Sequence, residues 1–289
     1  MNEKVLAVQY AAQAPAFTAA DTQREADFTV EVTKDGEGVI IKKYTGALAV
    51  VRIPSTIQGL PVRKIGDRAF YDNYTVTSVV IPAGVTKIGA GAFSCNERAK
   101  SKMQLTSVTI PEGVTEIDNE AFQDCPLAAV TLPQSLTTLG HSAFKDTNIT
   151  AVTLPAALTN FGFQDKNNMA FTDCKKLKTV TLPEGMKTIP IYMFWDCPAL
   201  TTVTVPEGLE TISRGAFLQC TALTSITLPS SIRTIGKQAF EGCTNLMTVT
   251  IPDSVKTIRF TNNGEFAGCA KLSNASRTAL KNRGYMSRF

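Results

Sequence analysis

The chain has 289 residues, 44% of them hydrophobic, which is enough for a sizeable buried core. Its 29 basic residues against 25 acidic ones give a formal charge of +4, too slight for the clustered basic face of a nucleic-acid binder. No run approaches the roughly 18 apolar residues of a membrane helix, so no membrane insertion is expected.

Residues 1 to about 23 carry no pattern and are expected to be a disordered lead-in. The apolar stretch in Met1 to Val8 is too short for a signal peptide; either the protein stays in the cell or the sequence lacks its leader. Within residues 24–47, the stretch from Phe28 to Gly46 reads as two strands about Asp35-Gly36, a strong cue for a β-hairpin.

From 48 to 272 the chain repeats itself. The segment Leu105-Thr-Ser-Val108-Thr-Ile110-Pro111-Glu-Gly113-Val114-Thr-Glu-Ile117-Asp-Asn-Glu-Ala121-Phe122-Gln-Asp-Cys125 recurs with modest drift. Its proline falls at Pro54, Pro82, Pro111, Pro133, Pro155, Pro183, Pro206, Pro229 and Pro252, which marks nine units with a period of 22 or 23 and occasional insertions. In phase run Phe70, Phe93, Phe122, Phe144, Phe171, Phe194, Phe217, Phe240 and Phe266, usually after alanine.

Val108 and Ile110 share one face of an extended strand while Thr109 points to the other. Pro111 has no amide donor and a fixed φ, so the strand should stop there and the chain should turn at Gly113. Val114 and Ile117 then return to the core as a second short strand, and Ala121-Phe122 forms a tight turn that inserts its ring. One coil cannot bury these side chains alone, whereas stacked coils make a continuous interior. The pattern therefore predicts a β-rich solenoid of about nine coils with parallel strands. Beyond it, 273–289 begins with a short helix over Ser273 to Arg283, capped by Ser or Asn and stopped by Gly284.

This unit resembles the leucine-rich repeats of the BspA-like family of bacterial surface proteins over residues 48 to 272. The resemblance implies a right-handed superhelix, with the hairpin as N-terminal cap and the helix as C-terminal cap. It also implies a surface or secreted protein that adheres to host matrix proteins such as fibronectin and fibrinogen, or to other bacteria. An intracellular or periplasmic scaffold is the alternative.

Enzymatic chemistry finds little support. Cys125, Cys174, Cys197, Cys220, Cys243 and Cys269 each lie three residues after the repeat phenylalanine, with Asn73 and Thr147 taking that slot elsewhere, and Cys95 lies two after it. A slot that accepts Cys, Asn or Thr wants a small, weakly polar side chain, and a buried thiol suits it without reactivity. His141 is the only histidine, which removes most Ser-His, Cys-His and multi-histidine metal arrangements; it takes a variable slot expected at the surface. Asp165 to Asn168 fails the calcium-loop pattern because Gly at position six and an acid at position twelve are missing. No catalytic residue, metal or cofactor is expected.

Binding candidates remain. Thr109, Thr131, Thr153, Thr181, Thr204, Thr227 and Thr250 recur between the two inward strand positions, making an outward polar row. Threonine is also simply a good strand residue. Insertions mark two further candidates: a basic one with Arg98, Lys100 and Lys102, and another carrying Phe163. Trp195, the sole tryptophan, follows a core phenylalanine at a slot that elsewhere holds Gln123, Lys145 and Glu241, and is expected to be partly exposed.

Overall fold

The computed structural model describes residues 24–95, 103–162, 167–261 and 264–289. Strand β1 (Phe28–Val32) pairs antiparallel with β2 (Val39–Tyr44) across a turn where Gly36 takes φ +77°. β2 then pairs in parallel with Leu60–Ile65, the first of a series of parallel partners. From there most units carry two short strands, and most of these pair in parallel with their counterparts in the neighbouring units.

The second strands form one ladder from β2 through Leu60–Ile65, Lys87–Ile88 and Glu116–Ile117 to Thr138–Leu139, and another through Thr188–Ile189, Thr211–Ile212, Thr234–Ile235 and Arg259–Phe260. The first strands form three smaller sheets. These join Val50–Arg52, Ser78–Val80 and Ser107–Thr109; then Ala151–Thr153, Thr179–Thr181 and Thr202–Thr204; then Ser225–Thr227 and Thr248–Thr250. Ala129–Thr131, the corresponding stretch of the Pro133 unit, is not a strand.

The strands are short because each meets a punctuating residue. Pro111, Pro206 and Pro229 end theirs, and their carbonyls accept from the amide three residues on. At Gly113, Gly185 and Gly208 φ lies between +86° and +101°, where a Cβ would be strained. A second left-handed position falls two residues after the core phenylalanine, occupied by Asp72, Asp124, Asp146, Asp173 and Asp196. Aspartate suits it because its short side chain tolerates this region.

These turns drive the aromatic rings inward. All nine periodic phenylalanines are buried, at 1% exposure or less. Their rings stack face to face along the molecule, 4.8 Å apart at Phe70–Phe93 and 5.7 Å at Phe171–Phe194. The stack begins with Phe28 and Tyr44 in the hairpin and ends with Tyr285 set edge-on against Phe266 at 5.5 Å. Ring spacing thus matches the distance between neighbouring strands, which lets one residue type fill the same place in every unit. Beyond the last unit, helix α1 (Asn274–Lys281) starts at Ser273, whose side chain accepts from the Ser276 amide. Ser276 Oγ in turn accepts from the Val249 amide at 3.0 Å, pairing part of strand Thr248–Thr250.

Candidate functional site

The outward threonine row is set by the two-residue alternation of the first strands. Thr109, Thr153, Thr181, Thr204, Thr227 and Thr250 lie on strands, with registers such as Thr153↔Thr181↔Thr204 and Thr227↔Thr250. All are exposed except Thr181, which is half-buried. Thr131 is exposed but sits outside any strand, so the row is interrupted there. Other threonines are internal fasteners: Thr77, Thr106 and Thr201 donate their hydroxyls to the carbonyls of Ala49, Thr77 and Lys178 in the preceding unit. Among the described residues, the seven in the outward row have no side-chain hydrogen-bond partner, which leaves their hydroxyls to solvent or to a partner.

A second threonine set escaped the sequence reading. Thr138, Thr188, Thr211 and Thr234 occupy outward positions of the second strands, while Thr86, Thr115 and Thr137 donate to carbonyls one unit back. The signal was present in the Thr-Ile and Thr-Leu pairs that follow each proline turn. This second ladder parts between Asn160 and Thr188, where a cavity of about 550 Å³ opens among Leu158, Phe161, Met186 and Ile191.

Trp195 is half-buried on a turn, away from the strand rows. Its ring lies 5.4 Å from that of Tyr192 at a 45° tilt, and the Arg214 guanidinium sits 5.4 Å over the Tyr192 ring. Tyr192 adopts φ +57° and packs onto Gly215, where any Cβ would fall 2.2 Å from its ring. The indole Nε1 is the one buried side-chain nitrogen or oxygen among the described residues that has no hydrogen-bond partner. Next to this cluster Lys175 ion-pairs with both Asp173 and Asp196. Burial pulls the Lys175 pKa down, but the hydrogen bonds to the two carboxylates outweigh that and raise it. Trp, Tyr and Arg are the residue types that carry most binding energy at protein interfaces.

The cysteines are built into the core. All seven are free and buried. Six thiols each donate to a phenylalanine carbonyl in the preceding unit: Cys125 to Phe93, Cys174 to Phe144, Cys197 to Phe171, Cys220 to Phe194, Cys243 to Phe217 and Cys269 to Phe240, at 3.1–3.2 Å. Thr147 takes the same slot but donates to the Phe144 carbonyl of its own unit. Burial raises all six thiol pKa values, those of Cys174, Cys220 and Cys269 to about 12, which keeps them protonated and unreactive. His141 is half-buried rather than freely exposed, and its Nδ1 lies 2.6 Å from the Asn167 carbonyl. Since a carbonyl only accepts, Nδ1 carries the proton. Arg98, Lys100, Lys102 and Phe163 lie outside the described residues.

Among the described residues no group of three or more His, Cys, Asp or Glu is placed to hold a metal, and no helix is long and apolar enough to cross a membrane. Stacked parallel strands, a periodic apolar spine and an outward polar skin define a leucine-rich repeat protein. A model of the BspA type leucine-rich repeat region matches six copies over residues 47–104, 96–164 and 164–273, and the chain belongs to that family. Its structure is similar to a leucine-rich repeat protein of T. pallidum, at 23% identity and a TM-score of 0.61 over 92% of this chain and 98% of that one. It is also similar to a leucine-rich repeat protein of Bacteroides ovatus, at 24% identity and a TM-score of 0.54 over 85% and 80%. No curated protein matches the sequence. Leucine-rich repeat proteins are in general binding scaffolds rather than enzymes.

Proposed function

We propose that this protein is a non-enzymatic, protein-binding scaffold displayed at the bacterial surface or secreted, contacting host extracellular-matrix proteins such as fibronectin or fibrinogen, or other bacteria. The observation that carries the reading is the run of outward threonines whose hydroxyls have no partner among the described residues. A row of small polar side chains, about 4.8 Å apart where its strands pair, offers an extended partner many weak contacts. The Trp195–Tyr192–Arg214 cluster supplies the larger anchors that the threonine row lacks.

Solid-phase binding to fibronectin and fibrinogen, with pull-down from bacterial extracts, tests this using the full chain. Replacing Thr153 and Thr250 together by arginine is expected to weaken capture by about tenfold, near 1.4 kcal/mol. Unchanged capture removes the threonine row from the interface, and failure to retain either matrix protein or any bacterial one removes the adhesive reading.

A second reading is a scaffold inside the cell or periplasm, and one observation favours its intracellular form. All seven cysteines are unpaired thiols, the state a reducing compartment maintains. Fractionation of the native host separates the two, because an exclusively cytoplasmic protein is no adhesin.

A further inference from the structure

Charge is not spread evenly along this chain. Residues 253–289 hold seven basic residues and two acidic ones, whereas the 252 residues before them hold 22 basic and 23 acidic. This last stretch is the end of the final unit, helix α1 and the tail, which together cover the open end of the stack. Its two acids offset little. Glu265 is fully buried, and Asp253 stands exposed 3.8 Å from the Arg283 guanidinium.

The basic residues divide by what they touch. Arg277 donates to the Ala270 and Leu272 carbonyls, and Arg283 to those of Pro252, Val255 and Ala279, which ties helix and tail to the last unit. Lys271 donates to Asn245 Oδ1. Lys256, Arg259, Lys281 and Arg288 are exposed, and none of them has an ion-pair partner among the described residues. The fold gathers these four from separate places in the chain. Lys256 lines a cleft of about 420 Å³ with Asn282 and Arg283, the residues just after Lys281. Arg259 precedes Phe260, whose ring meets Tyr285 at 5.1 Å, and the Tyr285 hydroxyl donates to the Arg288 carbonyl at 3.0 Å.

The same end exposes apolar surface. Met247 and Met286, 48% and 88% exposed, both lie here, the first beside the start of α1, where its carbonyl accepts from the Ser273 amide. Tyr285 is buried against Phe260 and Phe266, while the next side chain, Met286, stands clear of the core.

We infer that the C-terminal end rests on an anionic phospholipid surface, with Lys256, Arg259, Lys281 and Arg288 over the headgroups and Met286 entering the interface among them. Unpaired lysine and arginine are drawn by the negative potential of such a surface, and an apolar side chain at the same place gains by leaving water. Met286 is what favours lipid over a soluble polyanion, because a sulfated polysaccharide offers it no apolar phase. The contact is peripheral, since α1 has eight residues and no helix among the described residues is long and apolar enough to cross. It is also independent of the protein-binding reading, whose threonine row lies along the strands rather than at the end.

The test is co-sedimentation of the full chain with phosphatidylcholine vesicles containing about 30% phosphatidylglycerol in about 50 mM salt. Binding should exceed that to pure phosphatidylcholine by about tenfold or more, and should fall by about tenfold or more in about 500 mM salt. Lys256→Glu, Lys281→Glu and Arg288→Glu combined should abolish it. The same change of net charge at the other end, with Lys34→Glu, Lys43→Glu and Lys64→Glu, should alter it less than about twofold, because those sites lie well beyond a Debye length. Met286→Ser should weaken it about threefold or more while leaving its salt dependence unchanged. All seven positions are exposed, so each variant should keep the wild-type unfolding midpoint.

The proposal is overturned by equal binding to neutral and anionic vesicles, by equal loss in the two triple variants, or by an affinity untouched in Met286→Ser. Retention on heparin with vesicles ignored overturns it as well, and assigns the basic end to a sulfated polysaccharide. Protein capture through the threonine row should be unchanged in the C-terminal triple variant, so the two readings fail separately.

Discussion

A thiol placed three residues after a core phenylalanine does two things at once: it fills a small buried space and donates to the carbonyl of the preceding unit. Burial holds Cys220 protonated up to about 12 in the folded protein, against an ordinary value of 9.0. The unfolded chain therefore loses thiol protons first as pH rises, so the stability contributed by this burial is complete below about pH 9 and is lost between about 9 and 12. Denaturant midpoints of the wild type should accordingly fall more steeply above about pH 9 than those of Cys220→Ala, and parallel profiles would place the thiol in solvent. Native protein should also react slowly with thiol reagents, with all seven thiols appearing only after denaturation. Phe217, fully buried and stacked on both sides, should cost roughly 3–5 kcal/mol when cut to alanine, as read from urea unfolding.

At the scale of the element, the tight turn decides which side chains reach the surface together. Tyr192 lies over Gly215 of the next unit because a residue without Cβ leaves the ring its place. Gly215→Ala should push that ring aside and alter the surroundings of Trp195. Because Trp195 is the only tryptophan, its emission should shift to longer wavelength, with a stability loss of about 1–2 kcal/mol from alanine in the left-handed region. An unshifted emission maximum would show that Tyr192 does not pack as described. The Phe-anchored turn was readable from the periodic Ala-Phe step, since one buried ring per unit is a strong apolar signal. The glycine that admits Tyr192 was not, because its neighbour lies a full unit away in the chain.

Across the whole molecule, units mostly 22 or 23 residues apart in sequence share one spine, so stability passes between neighbours and the terminal units need cover. Helix α1 covers strand Thr248–Thr250 through Ser276, and Tyr285 closes the ring stack. Removing residues 273–289 should uncover Phe266 and the Thr248–Thr250 edge, lowering the unfolding midpoint and promoting self-association in sedimentation experiments. A truncated chain as stable and as monomeric as the intact one would show that the last unit needs no cover.

Period, inward faces, the thiol column and the hairpin turn were determined by the sequence alone, because each depends on residues within one unit or on strict recurrence between units. Where the rungs part was decided only by tertiary structure. Ser225-Ile226-Thr227 alternates just as the paired Thr179-Val180-Thr181 does, so its local chemistry carries no mark of the opening. Whether two such strands bond depends on how the turns above and below set their separation, and that distance is a property of the stack rather than of any residue in it.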